Sequence, residues 1–204
     1  MRKLFVFILI VAIGSMTSCG EKEEVVTVST RFGDITILLY DQTPLHKANF
    51  VKLAQSGFYD SPTFHRVMDG FMIQGGDPNS KDADPDNDGT GGPGYTIEAE
   101  FNPDLTHIRG ALAAARQPDF VNPTKSSSGS QFYIIENEEG YHSLDGEYTV
   151  YGQTIDGFEV IEEIANQAVD RRNRPYEDIT ITVSVKPMTR KQITKAYGYE
   201  YPEE

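Results

Sequence analysis

From Ile179 to Val185 the chain alternates strictly, with Ile, Ile, Val and Val on one parity and Thr, Thr and Ser on the other. A period of two places those apolar side chains on one face of a strand. Two more β-favouring runs, Val25–Thr30 and Asp34–Tyr40, are joined through Phe32-Gly33-Asp34, which suits a tight turn, so they predict a hairpin. The period changes at Thr43-Pro44. Proline tolerates the first helical position, threonine can cap it, and Leu45, Ala48, Val51 and Ala54 recur at helical spacing until Gly57 ends the run. A second helix is predicted from Asp156, whose carboxylate can cap while Glu159 reaches back; Phe158, Ile161, Ile164, Ala165 and Ala168 line one face. Between the helices, β-rich runs alternate with turns, and no internal repeat is present. Many short strands with two helices far apart in sequence predict a mainly β fold, a barrel or sandwich whose open ends the helices cover.

Within the β-rich part, the run Phe64-His65-Arg66-Val67-Met68-Asp69-Gly70-Phe71-Met72-Ile73-Gln74-Gly75-Gly76-Asp77 sets one arginine and one glutamine among large apolar side chains. A permanently charged guanidinium beside Phe71 and Met72 points to a small pocket that binds something apolar while aiming donors at one polar atom of it. Ser128-Gly129-Ser130-Gln131-Phe132-Tyr133-Ile134-Ile135 repeats the arrangement, a glutamine beside aromatics, so the two segments' polar groups can converge on one ligand.

On these two segments, in this order and spacing, the chain resembles the cyclophilin-type peptidyl-prolyl cis-trans isomerases, over roughly Thr27 to Pro187. The resemblance implies a closed eight-stranded antiparallel β-barrel with a helix over each end, acting without a cofactor on proline-containing polypeptides, as a monomer. It makes Arg66 and Gln74 the catalytic pair, with Gln74 orienting the Arg66 head. Phe71, Met72, Tyr133, Leu144 and Tyr148 would wall a proline pocket, with His65 adjoining it and Ala115, Arg116, Gln131 and Phe132 along the peptide groove. Each has a purely structural alternative: Phe71, Met72 and Leu144 as core, Gln74 on a barrel-end backbone group, Arg66 in a salt bridge. The chain departs from the best-known members of the family at Ser143, where tryptophan is frequent, at Tyr133 for phenylalanine, at Tyr148 for histidine, and at Arg116 for asparagine. These changes bear on side-chain preference and on binding of cyclosporin-like macrocycles more than on turnover. A noncatalytic peptide-binding module on the same fold is the competing function.

The N-terminus sets the compartment. Arg2 and Lys3 precede the apolar run Leu4–Ile13, then small residues, then Cys19, the layout of a secretory signal too short to span a bilayer comfortably. Cys19 is the only cysteine, so no intramolecular disulfide is available. Its position resembles a bacterial lipoprotein acceptor, which assigns 1–18 to the signal, 19–26 to an acidic tether carrying Glu21, Glu23 and Glu24, 27–187 to the isomerase domain and 188–204 to a tail with Tyr197, Tyr199 and Tyr201. A cell-envelope protein held to a membrane by an N-terminal lipid is expected. The chain has 18 basic and 31 acidic residues; removing 1–18 takes two bases and no acid, leaving 16 against 31, a charge of −15. Such an acidic surface disfavours nucleic acid as a partner. Roughly 180 mature residues make one domain that needs no metal for stability.

Other motifs carry less. Gly89, Gly91 and Gly94 fit GxGxxG, but no strand precedes them and no helix follows, so they form a loop and not a dinucleotide site. Asp84, Asp86, Asp88 and Gly89 match the first half of a calcium loop, yet Tyr95 stands where a bidentate glutamate is needed, which leaves a calcium site and a solvated acidic insertion as alternatives. His46, His65, His107 and His142 show no zinc spacing. The serines at 126–130 lack a nucleophile-elbow context and read as turn residues, and Gln117–Thr124, with Pro118 and Pro123, reads as a loop beside the groove.

Overall fold

The computed structural model describes residues 22–82 and 84–201. The leader 1–18 and Cys19 lie outside the described residues. In chain order the elements are β1 (Lys22–Thr30), β2 (Gly33–Leu39), α1 (Pro44–Gln55), β3 (Arg66–Met68), β4 (Met72–Gly75), β5 (Thr96–Ile97), β6 (Ala111–Arg116), β7 (Ser127–Ile135), β8 (Val150–Asp156), α2 (Phe158–Ala165), β9 (Thr182–Thr189) and α3 (Arg190–Tyr197).

All strand pairs are antiparallel, in the order β3-β4-β7-β6-β8-β2-β1-β9, with β5 added beside β7. The predicted hairpin is β1–β2, with Val28 opposite Ile35 and Val26 opposite Ile37, and the strictly alternating run feeds β9, which pairs β1. Period-two alternation drives Val26, Val28, Ile35 and Ile37 into the interior. The expected closed eight-stranded barrel is instead a nine-stranded sheet whose two ends, β3 and β9, are not paired to each other. The segments leading into those strands do meet, through a bridge between Thr63 and Thr180 and a 3.0 Å hydrogen bond from Phe64 N to Ile179 O.

Both predicted helices form and both bury one face in the main core, but each differs from its expected detail. In α1 the buried residues are His46, Phe50, Leu53 and Ala54, while Leu45 is 49% exposed and Ala48 is exposed. The helix is rotated about its axis from the predicted face because Phe50 packs on Tyr59 and Phe132, with centroids 4.9 and 5.6 Å away. Thr43 does not cap it. Glu100 does, accepting from Leu45 N at 3.0 Å, His46 N at 2.9 Å and His46 Nδ1 at 2.6 Å. In α2 the N-cap is Gly157, not Asp156, which ends β8, and Ala168 lies beyond the helix and is exposed. Gly157 holds φ 86° and its hydrogen faces Asp34 O, where a Cβ would sit 2.2 Å away.

The N- and C-terminal stretches are more ordered than their composition implied. Residues 22–26, expected in the tether, begin β1, and Glu23 pairs with Arg190 at 2.8 Å. The tail forms α3, closed by a capping box between Thr189 and Gln192. Its Ile193 is fully buried against Val25, Leu38 and Ile155, with Met188, Tyr197, Tyr199 and Tyr201 packed around them.

Candidate active site

The β3–β4 hairpin builds the site by register. Arg66 lies opposite Gln74, Val67 opposite Ile73 and Met68 opposite Met72, so alternation sends Val67 and Ile73 into the core and turns Arg66, Gln74 and Met72 to the other face. On that face Met72, Ala113, Tyr133, Ile135 and Val150 form a second apolar cluster, with Phe71, Ala115, Leu144 and Tyr148 packed at its margin. It surrounds a cavity of about 440 Å³. Ten of the residues singled out from sequence line this cavity: His65, Arg66, Phe71, Met72, Gln74, Ala115, Arg116, Tyr133, Leu144 and Tyr148.

Two do not. Gln131 lines an adjoining groove, and Phe132 points the opposite way, fully buried in the main core with its ring edge-on to Phe50, Tyr59 and Phe64. Neighbours in a strand face opposite sides, so Tyr133 on the cavity face places Phe132 in the interior. Phe132 is therefore a core residue and not a groove residue.

Arg66 is half-buried, and among the described residues it pairs with no carboxylate. Its Nη1 donates to Gln74 Oε1 at 3.1 Å and its Nη2 to Met68 Sδ at 3.1 Å; the guanidinium carbon lies 6.0 Å from the Phe71 ring centre. Gln74 in turn donates to Gln131 Oε1 at 3.1 Å, and Gln131 donates to Gly91 O at 2.8 Å. This chain of amides holds the arginine head without neutralising it. Gly91 is required there: its N donates to Asp77 Oδ2 at 3.2 Å, and a Cβ would fall 2.1 Å from Asp77 Oδ1. Burial lowers the Arg66 pKa from the ordinary arginine value, a cost the cation bears for being aimed into the cavity.

Beneath the cavity, Tyr133 is wired to a buried histidine. His107 Nδ1 is 2.8 Å from Asp145 Oδ1, which also accepts from His107 N, and His107 Nε2 is 2.9 Å from the Tyr133 hydroxyl. An ionised carboxylate only accepts, so Nδ1 carries the imidazole proton and Nε2 accepts from the Tyr133 O–H. Burial lowers the His107 pKa against the opposing pull of Asp145, and burial raises that of Tyr133. Asp145 itself is held below its usual value: burial opposes this, but bonds from His107 and His142 prevail. His65 is buried with neither ring nitrogen bonded to protein, and burial lowers its pKa as well.

The far wall of the cavity was not read from sequence as part of it, although Asp88 and Gly89 were singled out for another role. It comprises Pro85, Asp88 and Gly89 with Arg172 and Arg174. Asp88 pairs with Arg174 at 2.7 Å and Asp86 with Arg172 at 2.9 Å. Two of the three calcium candidates, Asp86 and Asp88, are thereby paired with arginines, while Asp84 accepts from Asp86 N at 3.0 Å, and no grouping of three or more His, Cys, Asp or Glu suited to a metal occurs among the described residues. The signal available in the sequence was Asp170-Arg171-Arg172-Asn173-Arg174, a cationic run in a chain of net charge −13.

The fold thus sets a guanidinium held by Gln74 at the wall of an apolar cavity. The family model for cyclophilin type peptidyl-prolyl cis-trans isomerases matches residues 25–185, and the chain belongs to this family. It is an isomerase of that class. A peptidyl-prolyl cis-trans isomerase of Synechococcus elongatus is 41% identical over 142 residues, covering 68% of this chain and 87% of the relative. A putative bifunctional phosphatase/peptidyl-prolyl cis-trans isomerase of Streptococcus pyogenes is 34% identical over 76% of this chain, which spans only 37% of that relative. A cyclophilin type peptidyl-prolyl cis-trans isomerase of Cryptosporidium parvum, 32% identical, superposes with a TM-score of 0.71 over 80% of this chain and 98% of its own; a second structure of it, in the presence of the dipeptide Ala-Pro, gives 0.68 over 79% and 98%.

Proposed function

We propose that the enzyme rotates X-Pro bonds by a hydrogen bond from Arg66 to the prolyl nitrogen, with the pyrrolidine ring held against Phe71, Met72, Tyr133, Leu144 and Tyr148. Rotation breaks amide resonance, a barrier of about 18–20 kcal/mol. In the twisted transition state the nitrogen becomes pyramidal and regains a lone pair, so a donor aimed at it stabilises that state more than either planar one. No bond to the substrate is made and no cofactor enters. The observation that carries this reading is a half-buried guanidinium with no carboxylate partner among the described residues, held by Gln74 at the wall of an apolar cavity. A charge-assisted hydrogen bond is worth about 1.5–3 kcal/mol and about 1.36 kcal/mol is tenfold in rate, so Arg66→Ala lowers kcat/KM roughly ten- to hundred-fold in a protease-coupled assay on a proline peptide. Near-normal turnover by this variant removes Arg66 from the mechanism. Peptide binding without turnover by the wild-type protein identifies a noncatalytic module instead.

The setting we propose is the bacterial cell envelope, with cleavage after Ser18, a lipid on Cys19 and folding proteins as clients. The leader Arg2–Ile13 and the single cysteine support this. Slow prolyl steps, tens of seconds when uncatalysed, give such an enzyme work that needs no ATP. Cys19→Ser releasing the protein from the membrane fraction is the expected result.

A further inference from the structure

Two loops meet at the far wall of the cavity, and a buried ion pair joins them. Arg174 Nε donates to Asp88 Oδ2 at 2.7 Å and its Nη2 to Asp178 Oδ1 at 2.8 Å. The Asp88 and Arg174 side chains are 7% and 16% exposed, against 81% and 55% for the neighbouring pair of Asp86 and Arg172. Exposed pairs contribute little, whereas removing one partner of a buried pair strands the other charge. It is therefore Asp88 and Arg174 that fasten the loop 84–91 to the loop 170–174.

From this pair two routes lead to Arg66. The first runs through the backbone. Asp170 folds its loop on itself, accepting on Oδ1 from Arg172 N at 2.8 Å and from Arg174 N at 2.9 Å. Asn173, at a φ of 64°, turns its carbonyl onto β3 and accepts from Val67 N at 2.8 Å. β3 is an end strand of three residues, and Val67 directly follows Arg66 in it, so this bond anchors the strand that carries the guanidinium. The second route runs through side chains. Gly91, three residues beyond Asp88, accepts on its carbonyl from Gln131, whose Oε1 accepts from Gln74, whose Oε1 accepts from Arg66. The stretch between is held on its outer side: Asn79 Nδ2 donates to Thr90 Oγ1 at 3.1 Å, and Asp77 accepts from Gly91 N. The circuit closes around the cavity and refers both the strand and the head of Arg66 to a single ion pair.

We infer that Asp88 and Arg174 are positioning residues for the reaction, holding the Arg66 guanidinium at the angle at which it meets the prolyl nitrogen. The inference rests on the Arg66 mechanism proposed above and extends it to a pair that acts only through Arg66. Small misplacements of a catalytic group are costly, so Asp88→Ala and Arg174→Ala are each expected to lower kcat about tenfold in exchange NMR on a proline peptide. The apolar walls are untouched, so KM stays within about twofold. The double variant loses no more than either single one, because all three break the same link. In an Arg66→Ala background the Asp88→Ala change alters kcat by less than about twofold, an outcome that a general loosening of the fold does not give. The Arg66 side-chain Nε–H signal, assigned by its absence in Arg66→Ala, shifts in Asp88→Ala, while that of Arg109, paired with Glu162, stays in place. A rise in KM alone, an equal loss of kcat in both backgrounds, or an unmoved Arg66 signal overturns the inference. Asp88→Asn keeps the shape of the side chain and one acceptor for Arg174; it gives a smaller loss, and it decides by the same criteria if the alanine variants do not fold. Should Arg66→Ala retain turnover, the Arg66 mechanism fails by itself, and the Arg66 signal then decides alone whether the pair positions that side chain.

Discussion

Arg66 and Gln74 stand eight residues apart in the chain and face each other across a hairpin, so their meeting follows from strand register alone. Residues whose neighbours are set by register were legible; Phe132 was not assigned correctly because a family motif names adjacent residues together while a strand sends them to opposite faces. Nor could sequence alone show that the Tyr133 hydroxyl would find His107, 26 residues away and carrying no spacing signal. That bond has a measurable consequence. Tyr133→Phe leaves His107 Nε2 buried without a donor, and an unpaired buried polar atom costs about 1–3 kcal/mol. Urea unfolding should show a loss of that size, whereas Tyr133 acting only as an apolar wall predicts a change near zero. Because the hydroxyl proton is committed to His107, the same variant is expected to retain turnover of a plain proline peptide within a few-fold.

Elements were easier to foresee than their orientation. Helix α1 was announced by Thr43-Pro44 and by apolar spacing, yet the spacing also admitted a face roughly one residue off, and only the aromatic packing of Phe50 against Tyr59 and Phe132 selects the right one. Its true cap arrives from Glu100, 54 to 55 residues away in sequence, a solution that local capping rules cannot find. Helix α3 is the opposite case. Thr189 and Gln192 spell a capping box and Ile193 is the apolar anchor, but the surrounding charges and tyrosines concealed an element that covers Val25, Leu38 and Ile155. The capping assignment is testable. Glu100→Ala strips two backbone donors and a buried imidazole of their acceptor at once, for an expected loss of about 2 kcal/mol or more in chemical unfolding, while Leu45→Ala on the exposed face should cost under about 0.5 kcal/mol. Equal losses for the two variants would restore the face that the spacing first suggested.

At the scale of the whole molecule, the main core and the second apolar cluster lie on opposite faces of the same strands, β3, β4, β6 and β7. The fold class was readable because alternation and short runs fix a sheet; closure was not, since it depends on how far the segments before β3 and β9 pair, which amounts to one bridge between Thr63 and Thr180 and the backbone hydrogen bonds flanking it. Burial on both faces also traps three histidines. His46, His65 and His107 all have pKa values lowered, in each case first by burial, and His65 lacks any hydrogen-bond partner on its ring. A histidine whose folded pKa lies below its unfolded value of about 6.5 is neutral in the native state when the unfolded chain already binds a proton. Between those two values the unfolded state holds more protons, so stability rises with pH there and falls as the solution is acidified. With three such groups the decline should begin near pH 6.5 and steepen towards pH 5, well above the range where Asp145 and Asp170, both lowered, would lose their own contributions by protonation. Urea midpoints measured from pH 7.5 to 4.5 are expected to fall through this window with net uptake of more than one proton on unfolding, and His65→Gln should flatten part of the slope. A midpoint constant down to pH 5 would mean that these imidazoles charge in place, against the burial that lowers all three.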